Sequence, residues 1–175
     1  MSKLLYSATM SLDGFIAGPG GDMSWLTAHL APDPAVDELI PQVGAILAGN
    51  RTFRGDDPHR DDPEKAGKAF GGGWSGPQVV LTHHAPATPV PGVTFAGDLT
   101  KAVALAKEAA NGKYVNVLGA DVARQCLEAG ELDEILVFVA PVLLGDGVRL
   151  FAHPGGTNIR LEPTGGSGLW FRVVR

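Results

Sequence analysis

The stretch Tyr114-Val115-Asn116-Val117-Leu118-Gly119-Ala120-Asp121-Val122-Ala123-Arg124-Gln125-Cys126-Leu127-Glu128-Ala129-Gly130 decides the fold class. Tyr114 to Leu118 has strand character, and Gly119 interrupts it. Helix formers follow from about Asp121 to Ala129, and Gly130 suits the left-handed conformation that ends a helix. A second apolar run, Ile135 to Ala140, comes next. Strand, glycine, helix, strand is the repeating unit of a parallel sheet, because parallel neighbours need a crossover connection.

The same alternation extends outward. Leu4 to Thr9, Ala45 to Ala48, Val79 to Thr82 and Val93 to Ala96 read as further strands. Most are too continuously apolar to face water on one side, so helices are expected on both faces of the sheet. One helix opens at Asp33 with Pro34 in its first turn and offers Val36, Leu39, Ile40 and Val43 as an apolar stripe. Another repeats Leu99, Val103, Ala106 and Ala110 and ends near Asn111-Gly112. Asn158 to Leu161 and Leu169 to Val174 have no helix between them, which predicts an antiparallel finish. Arg54 to Gln78 forms a long irregular loop, charged between Asp56 and Lys68, of the kind that is either functional or mobile. One α/β domain over 1–175 is expected, with a central, mixed but mostly parallel sheet flanked by helices.

Composition narrows the function. With 175 residues, 45% hydrophobic and 19% charged, the chain can close a core without disulfide or metal. The single cysteine, Cys126, lies within the helical pattern and reads as a buried small hydrophobe. A net charge of −5 without a cluster of Lys and Arg argues against a nucleic-acid partner, since that binding relies on a basic footprint. No run of apolar residues is long enough for a membrane span and no signal-like segment follows Met1, so a cytoplasmic protein with small-molecule partners is expected. No Cys or His pair has metal-ligand spacing.

Four segments carry candidate chemistry. Ser11-Leu12-Asp13-Gly14-Phe15-Ile16-Ala17 puts a carboxylate and a glycine just beyond the first strand, an arrangement that builds ligand sites in open α/β sheets and also makes ordinary turns. Gly49-Asn50-Arg51-Thr52-Phe53 follows a strand and opens a helix. Free backbone N–H groups beside a guanidinium suit a phosphate there, and an N-cap with a solvated arginine is the other reading. Leu118-Gly119-Ala120-Asp121-Val122 repeats that arrangement, and two such turns suit a pyrophosphate. The fourth segment is Pro141-Val142-Leu143-Leu144-Gly145-Asp146-Gly147-Val148-Arg149, where glycines follow the most hydrophobic strand.

Taken in this order, the segments resemble the dihydrofolate-reductase-like superfamily, in particular the branch holding the C-terminal reductase domain of bacterial riboflavin biosynthesis. Nearly the whole chain is covered. The resemblance implies a three-layer fold with NADPH across the carboxyl ends of the strands. It places Ile16 and Ala17 near the nicotinamide, Gly49, Arg51 and Thr52 at the phosphates, and Gly119, Ala120, Asp121 and Val122 along the pyrophosphate. Thr82 and His83 would meet the adenosine end. Asp13 would be the catalytic and substrate-side carboxylate, with Trp25, Gly145 and Gly147 lining the substrate side. A homodimer is also implied, paired through the antiparallel finish and the strand Ile135 to Ala140.

Four departures from the family pattern shape the functional expectation. Dihydrofolate reductases carry a carboxylate about five residues after a tryptophan such as Trp25, and Leu30 stands there. Folate is therefore not the expected substrate. The usual Gly-Arg-x-Thr becomes Gly49-Asn50-Arg51-Thr52, and the usual Gly-Gly becomes Gly119-Ala120. The riboflavin enzyme usually joins this domain to a preceding deaminase domain, and the present sequence is expected to lack one. The main expectation is an NADPH-dependent reductase transferring hydride to a small heterocycle, carbonyl or imine. The alternatives are the ribosylaminouracil phosphate reductase of riboflavin biosynthesis and a nucleotide-binding module of the same fold without catalysis.

Overall fold

In the computed structural model, which describes residues 1–175, strand β1 (Leu4–Ser11) runs through the middle of the molecule with Leu4 to Ser7 all buried. Strands β6 (Tyr114–Leu118) and β7 (Leu132–Ala140) flank it, both parallel to it. Beyond β6 come β3 (Val43–Gly49), β4 (Gln78–Leu81) and β5 (Val93–Ala96), again parallel. Beyond β7, β10 (Leu169–Val173) and β9 (Leu161–Pro163) close the sheet antiparallel. The order is β5-β4-β3-β6-β1-β7-β10-β9. A separate two-stranded ribbon pairs β2 (Phe15–Ala17) with β8 (Val148–Arg149). No sequence signal announced that ribbon, because each of its strands is too short to show a period.

Helices cover both faces, as the continuous apolar runs require. Helices α3 (Leu99–Ala110) and α4 (Ala120–Glu128) close the larger core, in which Ala45, Leu47, Val115 and Val117 of the sheet meet Ala102, Ala106, Val122 and Cys126. Truncating a fully buried residue such as Leu47 to alanine is worth about 2–5 kcal/mol. Helix α1 (Pro34–Leu39) lies on the opposite face in a smaller cluster with Leu5, Val43, Leu136 and Trp170. A fourth, single-turn helix, α2 (Asn50–Phe53), follows β3. The starts of α1 and α3 are capped by side chains: Asp33 accepts from the Ala35 N–H at 2.8 Å and Asp98 from the Lys101 N–H at 2.8 Å. Cys126 is fully buried, and desolvation pushes its thiol up to about 12.

Two boundaries differ from the sequence reading. Helix α1 stops at Leu39 because Pro41 lacks the N–H that an α-helix needs there, so Ile40–Gln42 form a 3-10 turn and Val43 becomes the first residue of β3. The last-but-one strand is Leu161–Pro163, later than expected. Its partner β10 pairs Val173 with Leu161 and ends there, leaving Asn158 no strand to pair with. At the amino end of the sheet, Glu134 is buried and satisfied by Lys3 Nζ at 3.0 Å, Tyr114 Oη at 2.8 Å and Trp170 Nε1 at 2.8 Å. A buried carboxylate needs such partners. No helix is long and apolar enough to cross a membrane.

Candidate functional site

Parallel strands end on the same side, so β4, β3, β6, β1 and β7 deliver Thr82-His83, Gly49 to Thr52, Gly119 to Val122, Ser11 to Gly14 and Ala140 to Gly147 to one edge. Ligands of open α/β sheets bind outside this carboxyl edge. All four segments picked out in the sequence therefore meet in one place.

The two glycine turns touch each other. Gly119 has φ +99°, and a Cβ there would overlap the Thr52 hydroxyl. A Cβ on Gly49 would meet Val122 Cγ2 at 2.9 Å. The turn after β3 is thus pressed against the first turn of α4. Gly119 gives α4 no side-chain cap, so the first N–H groups of this nine-residue helix are free for an acceptor outside the protein. Asp121 in that first turn is held below the usual carboxylate range by its hydrogen bond from Arg124 at 2.9 Å, helped by Gln125 at 2.8 Å, with Arg51 contributing its charge. Arg51 and His83 are exposed. Thr82 is buried, and its hydroxyl accepts from the His84 N–H at 3.0 Å, closing the turn after β4.

On the other side of the edge, Asp13 acts as a clasp. Its Oδ1 accepts from Ser11 Oγ at 2.6 Å and from the Leu144 N–H at 3.0 Å, and its Oδ2 accepts from the Gly145 N–H at 2.7 Å. Fully buried Ser11 also accepts from the Phe15 N–H at 3.0 Å. These bonds, led by that from Ser11, hold the Asp13 carboxyl at about 2. At neutral pH it is a fixed hydrogen-bond acceptor and carries no proton to donate. The loop after β1 is thereby tied to the loop after β7. Gly147 completes the junction: at φ +134°, any side chain there would collide with the Ala17 carbonyl and the Gly18 backbone. Gly147 thus lies directly against Ala17 at the end of β2. Arg149, opposite Phe15, places its guanidinium 4.8 Å from that ring.

Trp25 lies in a 3-10 segment, Ser24–His29, that precedes α1. The long loop after α2 holds this segment in place: the Met23 N–H donates to Asp56 at 3.0 Å and Thr27 Oγ1 to the Pro58 carbonyl at 2.8 Å. Arg60 pairs with Asp56 at 2.6 Å. The loop is thus internally bonded and docked against the site. Trp25 Nε1, Asn50 Oδ1 and both polar atoms of the Asn116 carboxamide are buried without a hydrogen-bond partner. Each such atom costs about 1–3 kcal/mol. Leu30 is exposed and supplies no acid. Sequence reasoning passed over Ser11 as a partner of Asp13 and Asn50 as an orphaned acceptor. The Ser-x-Asp spacing hinted at the first. Nothing short of coordinates shows the second.

The edge geometry can be set beside known proteins. Residues 2–167 match the RibD C-terminal domain family. The chain belongs to that family. Its reductase character agrees with the branch to which the motifs pointed, so the chain is an oxidoreductase-type domain. RibD C-terminal folds are recognisable among solved structures. A protein assigned to riboflavin biosynthesis from Shewanella sp. PV-4 aligns with a TM-score of 0.72 at 22% identity, covering 100% of both chains. The riboflavin biosynthesis reductase of Saccharomyces cerevisiae gives 0.58 at 15% identity, with 99% of this chain and 92% of that one covered. A dihydrofolate reductase from Enterococcus faecalis, complexed with NADP(H), gives 0.55 at 13% identity, with 98% and 92% covered. At these identities the likeness is one of fold, and it agrees with the dihydrofolate-reductase-like architecture. No curated protein matches in sequence.

Proposed function

We propose that this domain is an NADPH-dependent reductase that delivers hydride to a C=N or C=O carbon of a small heterocyclic or sugar-bearing substrate. The observation that carries the reading is the contact between the two glycine turns, Gly119 against Thr52, beside the uncapped start of α4. A dinucleotide needs backbone donors at two adjacent turns, and the missing side chains of Gly49 and Gly119 let these two turns pack together at one edge. Gly49, Arg51 and Thr52 would hold one phosphate, and Gly119 to Val122 the pyrophosphate. Ile16, Ala17, Gly145 and Gly147 would shape the nicotinamide side, with Thr82 and His83 toward the adenosine. When bound, NADPH would supply the hydride.

In this reading the protein contributes orientation and exclusion of water. Asp13 sets the spacing between the β2 strand and the loop after β7, and so fixes where a substrate can lie. Trp25 closes the substrate side from the segment before α1. The test is direct: NADPH fluorescence is titrated with purified protein, and loss of nicotinamide absorbance is then followed with candidate heterocycles. Binding with turnover supports the reading. Tight binding without turnover on any of them would point to a nucleotide-binding module without catalysis.

The riboflavin-pathway reduction of a phosphoribosylaminouracil is the second reading, favoured by the family match and by the riboflavin names of the fold relatives. It requires a cation for the substrate phosphate. Of the basic residues nearby, Arg60 is paired with Asp56 and Arg149 is stacked on Phe15, while Arg54 is exposed. Turnover of the phosphorylated substrate that falls at least tenfold in Arg54→Ala would favour this second reading.

A further inference from the structure

One side chain in the first turn of α4 carries the wrong sign for a phosphate site. Asp121 lies there, ahead of the first internal bond of the helix, which runs from the Ala123 N–H to the Gly119 carbonyl at 3.1 Å. The N–H groups before that bond are the ones a phosphate would use, and a carboxylate is drawn to the same place by the helix dipole. Both oxygens of Asp121 are instead turned along the helix. Oδ1 accepts from Arg124 Nη2 at 2.9 Å and Oδ2 from Gln125 Nε2 at 2.8 Å, partners one turn further on. Arg124 is itself braced, with Nη1 2.9 Å from both oxygens of Glu128 another turn beyond.

Arg51 is the second cation near this carboxylate, and it acts on Asp121 through its charge alone. It precedes Thr52, the residue against which Gly119 packs. A released Asp121 would be drawn to the free N–H groups and to Arg51, and at either it would compete with a phosphate. We propose that Arg124 is a positioning residue of the nucleotide site: it holds Asp121 down along α4 and so keeps the helix start and Arg51 open to phosphate oxygens. The proposal rests on the reductase reading and adds a residue to its dinucleotide site. Arg124 acts through Asp121 and touches no ligand itself. Glu128, two turns from Asp121 and about 10 Å along the axis, has no part in the site beyond bracing Arg124.

Fluorescence titration of the full chain with NADPH tests this without any turnover. Arg124→Ala is expected to weaken binding at least fivefold, about 1 kcal/mol. In an Asp121→Asn background the same change is expected to cost less than a factor of about two, because no carboxylate remains to be released. Arg51→Ala is expected to cost less in Arg124→Ala than in the wild type, since Asp121 already engages Arg51 there. Glu128→Gln removes the other ion pair of Arg124 and is expected to leave the affinity unchanged. Asp121, Arg124 and Glu128 lie at the surface, so each variant is expected to melt close to the wild type. An Arg124→Ala protein that binds NADPH as the wild type does would overturn the proposal. So would a loss that persists in full in the Asp121→Asn background, since Arg124 would then meet the phosphates directly. Equal losses in Glu128→Gln and Arg124→Ala would trace the effect to the stability of α4 and overturn it as well. Each of these outcomes leaves the reductase reading standing, whereas a wild type that binds no NADPH overturns that reading and the proposal with it.

Discussion

Gly119 and Thr52 stand so close that any side chain on the glycine would overlap the threonine hydroxyl, although 67 positions of sequence separate them. The two strands that carry them, β6 and β3, are neighbours in the sheet, and their turns meet at its edge. Gly119→Ala combines this overlap with a backbone at φ +99° that a side chain rarely adopts. The expected loss of stability is about 1–3 kcal/mol, read by thermal melting, with at least a tenfold weaker NADPH affinity. Adding Thr52→Ala removes the overlap and leaves the backbone strain, so the double variant recovers part of the stability. A Gly119→Ala protein that melts and binds as the wild type does would show that the turns are not in contact.

Asp13→Asn is expected to lower turnover at least tenfold, about 1.4 kcal/mol in the barrier, with little change in NADPH affinity. An amide places a donor where the carboxylate accepted from Gly145 or Leu144, so hydrogen exchange at those two amides is expected to accelerate. The pH dependence has a definite sign. The native carboxyl ionises at about 2 and the unstructured one at 3.8, so between these values the native state binds fewer protons. The stabilisation is complete above the unfolded value and is lost as pH falls through 3.8 toward 2. The amide protection of Leu144 and Gly145 is expected to be flat from neutrality to pH ~5 and to weaken only in strong acid. Protection that declines near neutrality would contradict the clasp.

Arg51 is the exposed cation beside the cradle, close enough to Asp121 to affect its ionisation. The expected result for Arg51→Ala is a loss of NADPH affinity of tenfold or more, ~1.4 kcal/mol, with NADH affinity little changed. His83→Ala is expected to have the smaller effect. Equal affinity for the two dinucleotides in the wild type would remove Arg51 from the 2′-phosphate.

The open face of the antiparallel end predicts self-association. Val139 on β7, Leu169 on β10 and Leu161 on β9 are each 40% exposed or more. A homodimer is expected by light scattering at tens of micromolar, a concentration at which about 8 kcal/mol of association holds two chains together. Leu169→Asp is expected to shift it to monomer. A wild type that scatters as a monomer there would end the dimer proposal.

Much of this was legible in the sequence, for identifiable reasons. The strand-Gly-helix pattern at Leu118-Gly119-Ala120 survives because a parallel crossover needs a turn at that point, and the apolar period of Leu99 to Ala110 is that of a helix with one buried side. The candidate segments come together because each follows a strand that ends at the same edge. What could not be read is long-range. Asp13 gave a turn signal, and its bonds to Leu144 and Gly145 depend on the pairing of β1 with β7. Val43 was assigned to a helix because its spacing fits one, and Pro41 overrode the spacing. The β2–β8 ribbon escaped notice because its two strands are far apart in the chain and lack an alternation long enough to show.

The position of β1 between β6 and β7 bears on how the chain comes into being. Within this domain β1 is made before its partners, which start at Tyr114 and Leu132. Until most of the polypeptide has been made, Leu4, Leu5 and Tyr6 have no neighbour to pair with, and the nascent chain carries an open apolar strand. Pairing across so much sequence is entropically slow, and such strands are exposed to aggregation while they wait. Strand β1 is therefore expected to reach both neighbours only once the chain has been made as far as Ala140.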